Sequence, residues 1–164
     1  MLIGRVYDLI VNDMDLFTSW AANKPFAQLA TPAGTSIEIL QIEFGQRNVE
    51  ASMQNGLWIA KRSAATTLAA GVVPQNLSPD GPLTLLTGTT TTCAAGISGA
   101  EGAIETGINL YSRYVPFNQL NGVNQRYLET PIKLPASKFI TFSLTEASAA
   151  AGDKWCLCVR YREL

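Results

Sequence analysis

The strongest constraint on the fold is an alternation at Lys154–Leu164, KWCLCVRYREL. Successive side chains of a strand point to opposite faces. An extended chain therefore places Trp155, Leu157, Val159 and Tyr161 on one side and Cys156, Cys158, Arg160 and Arg162 on the other. The first set is aromatic, β-branched or aliphatic, as half-buried strands prefer. This segment is expected in the middle of a sheet. Upstream, Lys138–Thr145 reads KFITFSLT, with Ile140, Phe142 and Leu144 on one face and Thr141 and Ser143 on the other. Glu146–Asp153 joins the two segments, which predicts an antiparallel pair with a small, flexible connection.

The rest of the chain repeats this on a smaller scale. Leu2–Val11 reads as a strand, or as an arm that pairs with something else. Asn12-Asp13-Met14-Asp15 resembles a helix start, with a capping residue and acids in the first turn. Leu16, Phe17 and Trp20 follow at helical spacing, so a short helix is expected up to Asn23, ended by Pro25. Phe26–Thr31 is a short strand closed by the turn Pro32-Ala33-Gly34. In Thr35–Gly45, Ile37 and Ile39 share one phase, whereas Leu40, Ile42 and Phe44 share the other. Such a switch marks either a β-bulge or a central strand covered on both faces.

Asn55-Gly56 is a turn signal, and Leu57–Arg62 a short strand. Val72, Val73 and Leu77 surround Pro74 in an extended, unpaired stretch, and Ser78-Pro79-Asp80-Gly81-Pro82 is a turn. Leu83–Thr87 is a possible strand. Gly88–Gly107 is a long Gly/Thr/Ala/Ser stretch without a pattern, of the kind that is functional or ordered by a partner. Ile108–Pro116 resumes the alternation, with Ile108, Leu110, Ser112 and Tyr114 opposite Asn109, Tyr111, Arg113 and Val115. A second Asn-Gly turn lies at Asn121-Gly122. Tyr127–Leu134 is a strand bounded by Pro135, and Pro131 either places it at a sheet edge or limits its pairing. Short strands separated by turns, with no βαβ alternation and no heptad seam, predict an all-β protein. The expected form is an antiparallel, jelly-roll-like β-sandwich with one short helix near the N-terminus. Residues 1–24 are an arm or strand plus that helix, and residues 25–164 the sandwich, in a single domain overall.

Composition narrows the function. Hydrophobic residues make up 47% of the chain and charged residues 15%, against about 25% charged in an ordinary soluble protein. That balance suits a surface covered by neighbours. The net charge is −1 and Lys and Arg are scattered, so the electrostatic footprint of a nucleic-acid binder is missing. No run approaches the roughly 18 apolar residues of a membrane-spanning helix. MLIGRVYDLIVND is too short and interrupted for a signal peptide, which places synthesis in a cytoplasm. Three cysteines and no histidine argue against a disulfide framework, a Cys-His or Ser-His-Asp centre and the commonest metal ligand. Cys156 and Cys158 lack CxxC or zinc-knuckle geometry and read as small packed thiols, and Cys93 has no visible partner.

No Walker loop is present, because Gly99–Gly102 lacks the Lys-Ser/Thr that would follow. Glu38 and Glu43 flank one strand, but odd and even positions put them on opposite faces unless a bulge rotates one, so a glycosidase is disfavoured. Glu101 and Glu105 read as solvated acids. No catalytic residue, cofactor or metal is assigned. Trp58, Tyr111, Tyr114 and Phe117 are candidates for a sugar platform or an interface, and Trp58 equally for the core. Tyr111 and Tyr114 have opposite parity, so one faces away from the core, as interface tyrosines do. With the apolar arm residues Leu2, Ile3 and Val6, the interface candidates are Leu2, Ile3, Val6, Tyr111, Tyr114 and Phe117.

Phe26–Gln46, FAQLATPAGTSIEILQIEFGQ, resembles a loose family of phage and prophage virion proteins. Their pattern is a short strand, an Ala-Pro turn, an alternating strand and a closing Gly-Gln. Leu57–Ser63, Val73-Pro74, the Gly/Thr loop and a last strand ending at Tyr161–Glu163 follow in order. The resemblance implies a jelly-roll structural protein of the virion, often a head decoration (cement) protein on the capsid lattice, without catalytic residues. Its expected partners are the major capsid protein and further copies of itself, as a homotrimer, at the capsid surface. A receptor- or glycan-binding module of a tail or fibre is the alternative, and a hydrolase ranks last.

Overall fold

The structure is a computed structural model and describes residues 5–15, 25–47, 55–96, 112–117, 122–144 and 154–164. These form β1 (Val6–Asp15), β2 (Pro25–Ala30), β3 (Ile37–Arg47), β4 (Asn55–Arg62), β5 (Ala70–Gly71), β6 (Gln75–Asn76), β7 (Ala94–Ala95), β8 (Ser112–Phe117), β9 (Gly122–Leu134), β10 (Phe139–Leu144) and β11 (Lys154–Glu163). One sheet has the order β6-β1-β11-β3-β9 and the other β5-β7-β2-β10-β4-β8. Every pairing is antiparallel. The long strands pair in a nested way: β1 with β11, β2 with β10, β3 with β9 and β4 with β8.

The two sheets form a β-sandwich around one core. Trp155, Leu157, Val159 and Tyr161 of β11 are all buried in it, with Tyr7, Leu9 and Val11 of β1 on one side and Ile37, Ile39, Ile42 and Phe44 of β3 on the other. The second sheet contributes Phe26, Ala27, Leu29, Leu57, Ile59, Ile140 and Phe142. An aromatic chain joins the sheets. Phe26 stacks on Phe44 with ring centroids 5.8 Å apart, and Phe44 on Trp155 at 5.3 Å. Such stacks add about 0.5–1.5 kcal/mol each to the burial of the rings.

The phase switch in β3 is a bulge. Ile39 pairs with Tyr161 and Ile132, Gln41 with Arg160 and Tyr127, and Leu40 is skipped on both sides. The extra residue lets Ile37 and Ile39, then Ile42 and Phe44, all face inward despite their opposite parity. Pro131 lies on an edge strand, β9, as its missing N–H requires.

Other expectations are corrected. β10 and β11 do not pair: β10 lies between β2 and β4, β11 between β1 and β3. Alternation specifies which face is buried, not which strand lies alongside, and the connection is long enough to cross between sheets. Asn12–Asp15 is not a helix start. It continues β1, and Met14 and Asp15 pair with Trp155 and Lys154, so the ladder overrides the capping preference. The remainder of the expected helix, Leu16 to Asn23, lies outside the described residues. Asn55 and Gly56 open β4 opposite Phe117 and Pro116 instead of turning. Val72–Pro74 lie in no strand, but the short strands β5 and β6 flank them and are paired, and Leu83–Thr87 is not a strand. Within Gly88–Gly107, Ala94 and Ala95 form β7, and residues 97–107 lie outside the described set.

Candidate functional site

Beyond β4 the chain enters Ser63–Gly96, which contains a single charged residue, Asp80. Without a hydrophobic period, this segment is held by backbone bonds. Leu68 N–H donates to the Thr90 carbonyl at 2.8 Å, Val72 N–H to Cys93 at 2.7 Å and Cys93 N–H to Thr87 at 3.1 Å. Glycine permits the closest crossing: a Cβ on Gly71 would lie 2.4 Å from the Gly88 carbonyl oxygen, well inside contact distance. The buried Gln28 of β2 fastens the same segment to the sheet. Its Nε2 donates to the carbonyls of Thr91 and Thr92, both at 3.0 Å, and its Oε1 accepts from Thr66 N–H at 2.8 Å. Cys93, buried here, has its thiol pushed up to about 11 by burial, which makes it a packing residue and not a nucleophile.

The loop tip is clamped onto β1 and β11. Gly81 N–H closes the turn on Ser78 O at 2.9 Å, and Asn76 braces it by accepting from Ser78 N–H at 2.7 Å and donating to Pro82 O at 2.8 Å. The side chain of Glu163, at the end of β11, is buried. Its Oε1 accepts from Thr84 Oγ1 and from Leu85 N–H, both at 2.7 Å. Thr84 Oγ1 also lies 2.9 Å from the Tyr161 hydroxyl. The Tyr7 hydroxyl, whose ring stacks on Tyr161 at 5.5 Å, donates to Pro82 O at 3.2 Å. Burial raises both phenols above their ordinary pKa, so each remains a hydroxyl at neutral pH. Leu86 plugs into the core.

This clamp leaves Leu83 90% exposed and Leu85 50% exposed, with Val73 at 62% and Leu77 at 47%. A cleft of about 580 Å³ opens at the same place, lined by Val73, Pro74, Leu83 and Leu86 together with Asn76 and Thr84 among others. Scattered exposed apolar residues are ordinary; here four fall within Val73–Leu85, and two of them, Val73 and Leu83, line the cleft. Among the described residues, no charged side chain lines the cleft.

The outer face of the first sheet carries a different arrangement. Arg160 donates to both carboxylate oxygens of Asp8 at 3.0 Å and to Gln41 Oε1 at 3.2 Å, and Gln41 donates to Glu43 at 2.6 Å. Arg162 Nε donates to Glu38 at 2.7 Å, and Lys133 reaches the same carboxylate at 3.4 Å. These bonds hold the Glu38 pKa below its ordinary value, the Arg162 hydrogen bond first among them. The bulge does rotate Glu38 and Glu43 onto one face. Their strand positions nonetheless stand roughly 13 Å apart at about 3.3 Å per residue, beyond the roughly 5–9.5 Å of a glycosidase pair. Cys158, on this face, is pushed up to about 12 by burial and the nearby Asp8 and Glu43 carboxylates. Among the described residues no His/Cys/Asp/Glu cluster is placed to hold a metal, and no helix is long and apolar enough to cross a membrane.

Of the interface candidates read from the sequence, the described ones lie in different sheets, Val6 in β1 and Tyr114 and Phe117 in β8. Val6 is half-buried in β1, and its carbonyl accepts from Leu77 N–H at 3.1 Å beside the loop. Tyr114 and Phe117 belong to edge strand β8, where Tyr114 pairs with Trp58. Leu2, Ile3 and Tyr111 lie outside the described residues. Trp58 is half-buried, with the Arg62 guanidinium 6.0 Å above its ring. Leu83, Leu85, Val73 and their clamp Glu163 were not among the candidates. The legible signal was the near absence of charge from Ser63 to Gly96 around a run of unpatterned Leu and Val. No protein-family model, no curated protein and no solved structure matches the chain.

Proposed function

We propose that the protein is a non-enzymatic structural part of a phage virion, a jelly-roll domain that binds the capsid surface as a head decoration protein. The observation that carries this reading is Leu83, 90% exposed on a loop that partly buried hydrogen bonds hold in place. An apolar side chain displayed on a rigid support already carries little ordering cost when it binds, so it serves adhesion. The jelly-roll reading is supported by the strand order. With the two-residue strands set aside, the sheets run β1-β11-β3-β9 and β2-β10-β4-β8. That nested pairing is what a long hairpin gives when it rolls into two four-stranded sheets. The resemblance of Phe26–Gln46 to virion proteins supplies the partner. By binding assembled shells and not free subunits, such a protein stabilises the shell by mass action.

A glycan-binding tail module ranks second. The cleft offers Gln75, Asn76, Ser78, Thr84 and Thr87 as hydrogen-bonding groups, but among the described residues no aromatic ring lines it for a sugar to stack on. The test is co-sedimentation of the purified protein with shells of the major capsid protein encoded in the same genome. It is expected to pellet with shells and raise their melting temperature. Recovery wholly in the supernatant overturns the reading.

A further inference from the structure

We infer that Val73–Leu86 is a lid that swings as one body, with its base fixed to the second sheet and its tip latched to the first. Both ends of the lid are stapled to one residue. Val72 N–H donates to the Cys93 carbonyl at 2.7 Å, and Cys93 N–H donates to the Thr87 carbonyl at 3.1 Å. Cys93 is buried, and Ala94 and Ala95 after it form β7 of the second sheet. The chain crosses itself at this base: a Cβ on Gly88 would lie 2.7 Å from the carbonyl carbon of Val72. A compact loop whose ends touch is a ready unit of local opening.

The tip is held by the other sheet. β6 pairs with Tyr7 and Asp8 of β1, and Leu77 N–H donates to the Val6 carbonyl at 3.1 Å. The Tyr7 hydroxyl reaches Pro82 O, and Glu163 of β11 accepts from Thr84 and Leu85. Inside the lid, Asn76 ties Ser78 to Pro82 and Gly81 N–H closes on Ser78 O, so the tip keeps its shape without help from the sheet. Of the lid's side chains only Pro74 and Leu86 are buried, so little apolar area opposes a swing. Opening withdraws Leu86 from the core and frees the Tyr7 and Tyr161 hydroxyls, while the base stays on Cys93. Leu83 is displayed in one pose only while the lid is shut, so the shut fraction scales the affinity of any partner that Leu83 docks on. That consequence rests on the docking reading; the swing itself does not.

The test is residue-resolved amide hydrogen exchange of the purified chain, for the wild type, Glu163→Ala and Tyr7→Phe. The reporters are Leu77 and Leu85 in the lid, Val72 at its base and Leu157 in the sandwich. Glu163 bonds to Leu85 but not to Leu77, and the Tyr7 hydroxyl bonds to neither amide. A lid that swings as one body should therefore speed Leu77 and Leu85 by a common factor in each variant. That factor is on the order of tenfold for Glu163→Ala and several-fold for Tyr7→Phe, with Val72 and Leu157 changing little. Acceleration of Leu85 alone would show residue-by-residue fraying and overturn the inference. Val72 rising with the tip would overturn the fixed base, Leu157 rising with it would mean that the whole sandwich opens, and no change in either variant would overturn the latch. Shell binding is scored separately. A lid that swings in a chain that ignores shells overturns the docking reading alone, and a chain that pellets with shells but frays does the reverse.

Discussion

Leu157 and Leu83 are the same residue under opposite regimes. Leu157 is 1% exposed on β11, and its place is dictated by an alternating pattern and by ladders on both sides. Leu83 is 90% exposed, and its place is dictated by polar groups reaching from distant strands to the backbone around it. The sandwich is held by apolar burial, the loop by hydrogen bonds to a carboxylate, a phenol and an amide. The difference teaches that the two regions should yield to different perturbations. A cavity in the core should unfold everything together, whereas removal of a clamp should loosen the loop and spare the sheets.

The sharpest way to break that comparison is Trp155→Ala. The indole is buried and stacked on Phe44, which in turn stacks on Phe26 of the other sheet. Its removal should cost roughly 3–5 kcal/mol, a fall of roughly 6–20 °C in melting temperature for a chain of this length. Loop and sheets should melt in one transition. A separate, earlier transition of the sheets alone would show that the loop does not depend on the core.

Glu163→Ala probes the loop side. It deletes an acceptor shared by Thr84 Oγ1 and Leu85 N–H in a buried place, at a cost of roughly 1–3 kcal/mol. Amide exchange at Leu85 should accelerate while that at Leu157 and Val159 changes little. Glu163→Gln keeps an acceptor oxygen and should recover most of the protection. Equal acceleration at Leu85 and Leu157 would mean that the clamp supports the whole sandwich, not the loop. Gly71→Val acts on the same segment from its far end. The added side chain meets the Gly88 backbone, and overpacking of this kind costs about 1–3 kcal/mol. A fully wild-type melt would show that the crossing at Gly71 and Gly88 relaxes freely.

These contrasts explain what was legible in the sequence. The inner face of β11 was readable because burial of every second residue leaves a period-two trace in the chain itself. The change of phase between Ile37 and Ile39 and then Ile42 and Phe44 was visible for the same reason, but it fitted a doubly covered strand as well as a bulge, and only the pairing places the extra residue at Leu40. Partner choice left no such trace: β10 and β11 both alternate, yet they belong to different sheets. The loop was the least legible part. Glu163 lies 78 residues from Leu85, and Gln28 lies 63 from Thr91, and side-chain bonds to remote backbone groups impose no local pattern. Asn12–Asp15 failed in the opposite sense, because a strong local capping signal was outweighed by pairing with β11.

The smallest expected effect concerns the outer face of the first sheet, where strands are joined by charge. Glu38 has its folded pKa held below the ordinary 4.5, by the Arg162 hydrogen bond before its other contacts. A carboxyl whose pKa is lowered on folding stabilises the fold fully above its unfolded value. That contribution is lost as pH falls through the folded value. Arg162 and Lys133 are well exposed, so solvent screens the pairs and the effect is modest. In melts between neutral pH and pH near 3, the wild type should exceed Glu38→Gln most clearly above about 4.5, and the gap should close in acid. A gap of constant size down to the lowest pH would mean that Glu38 contributes by packing and not by its charge. This network joins β11 to β3 and β9, so at neutral pH Glu38→Gln should leave Leu85 exchange unchanged. If Leu85 loosened in Glu38→Gln at neutral pH, the two regions would be coupled through β11, and the separation drawn between strand-held and clamp-held leucines would have to be given up.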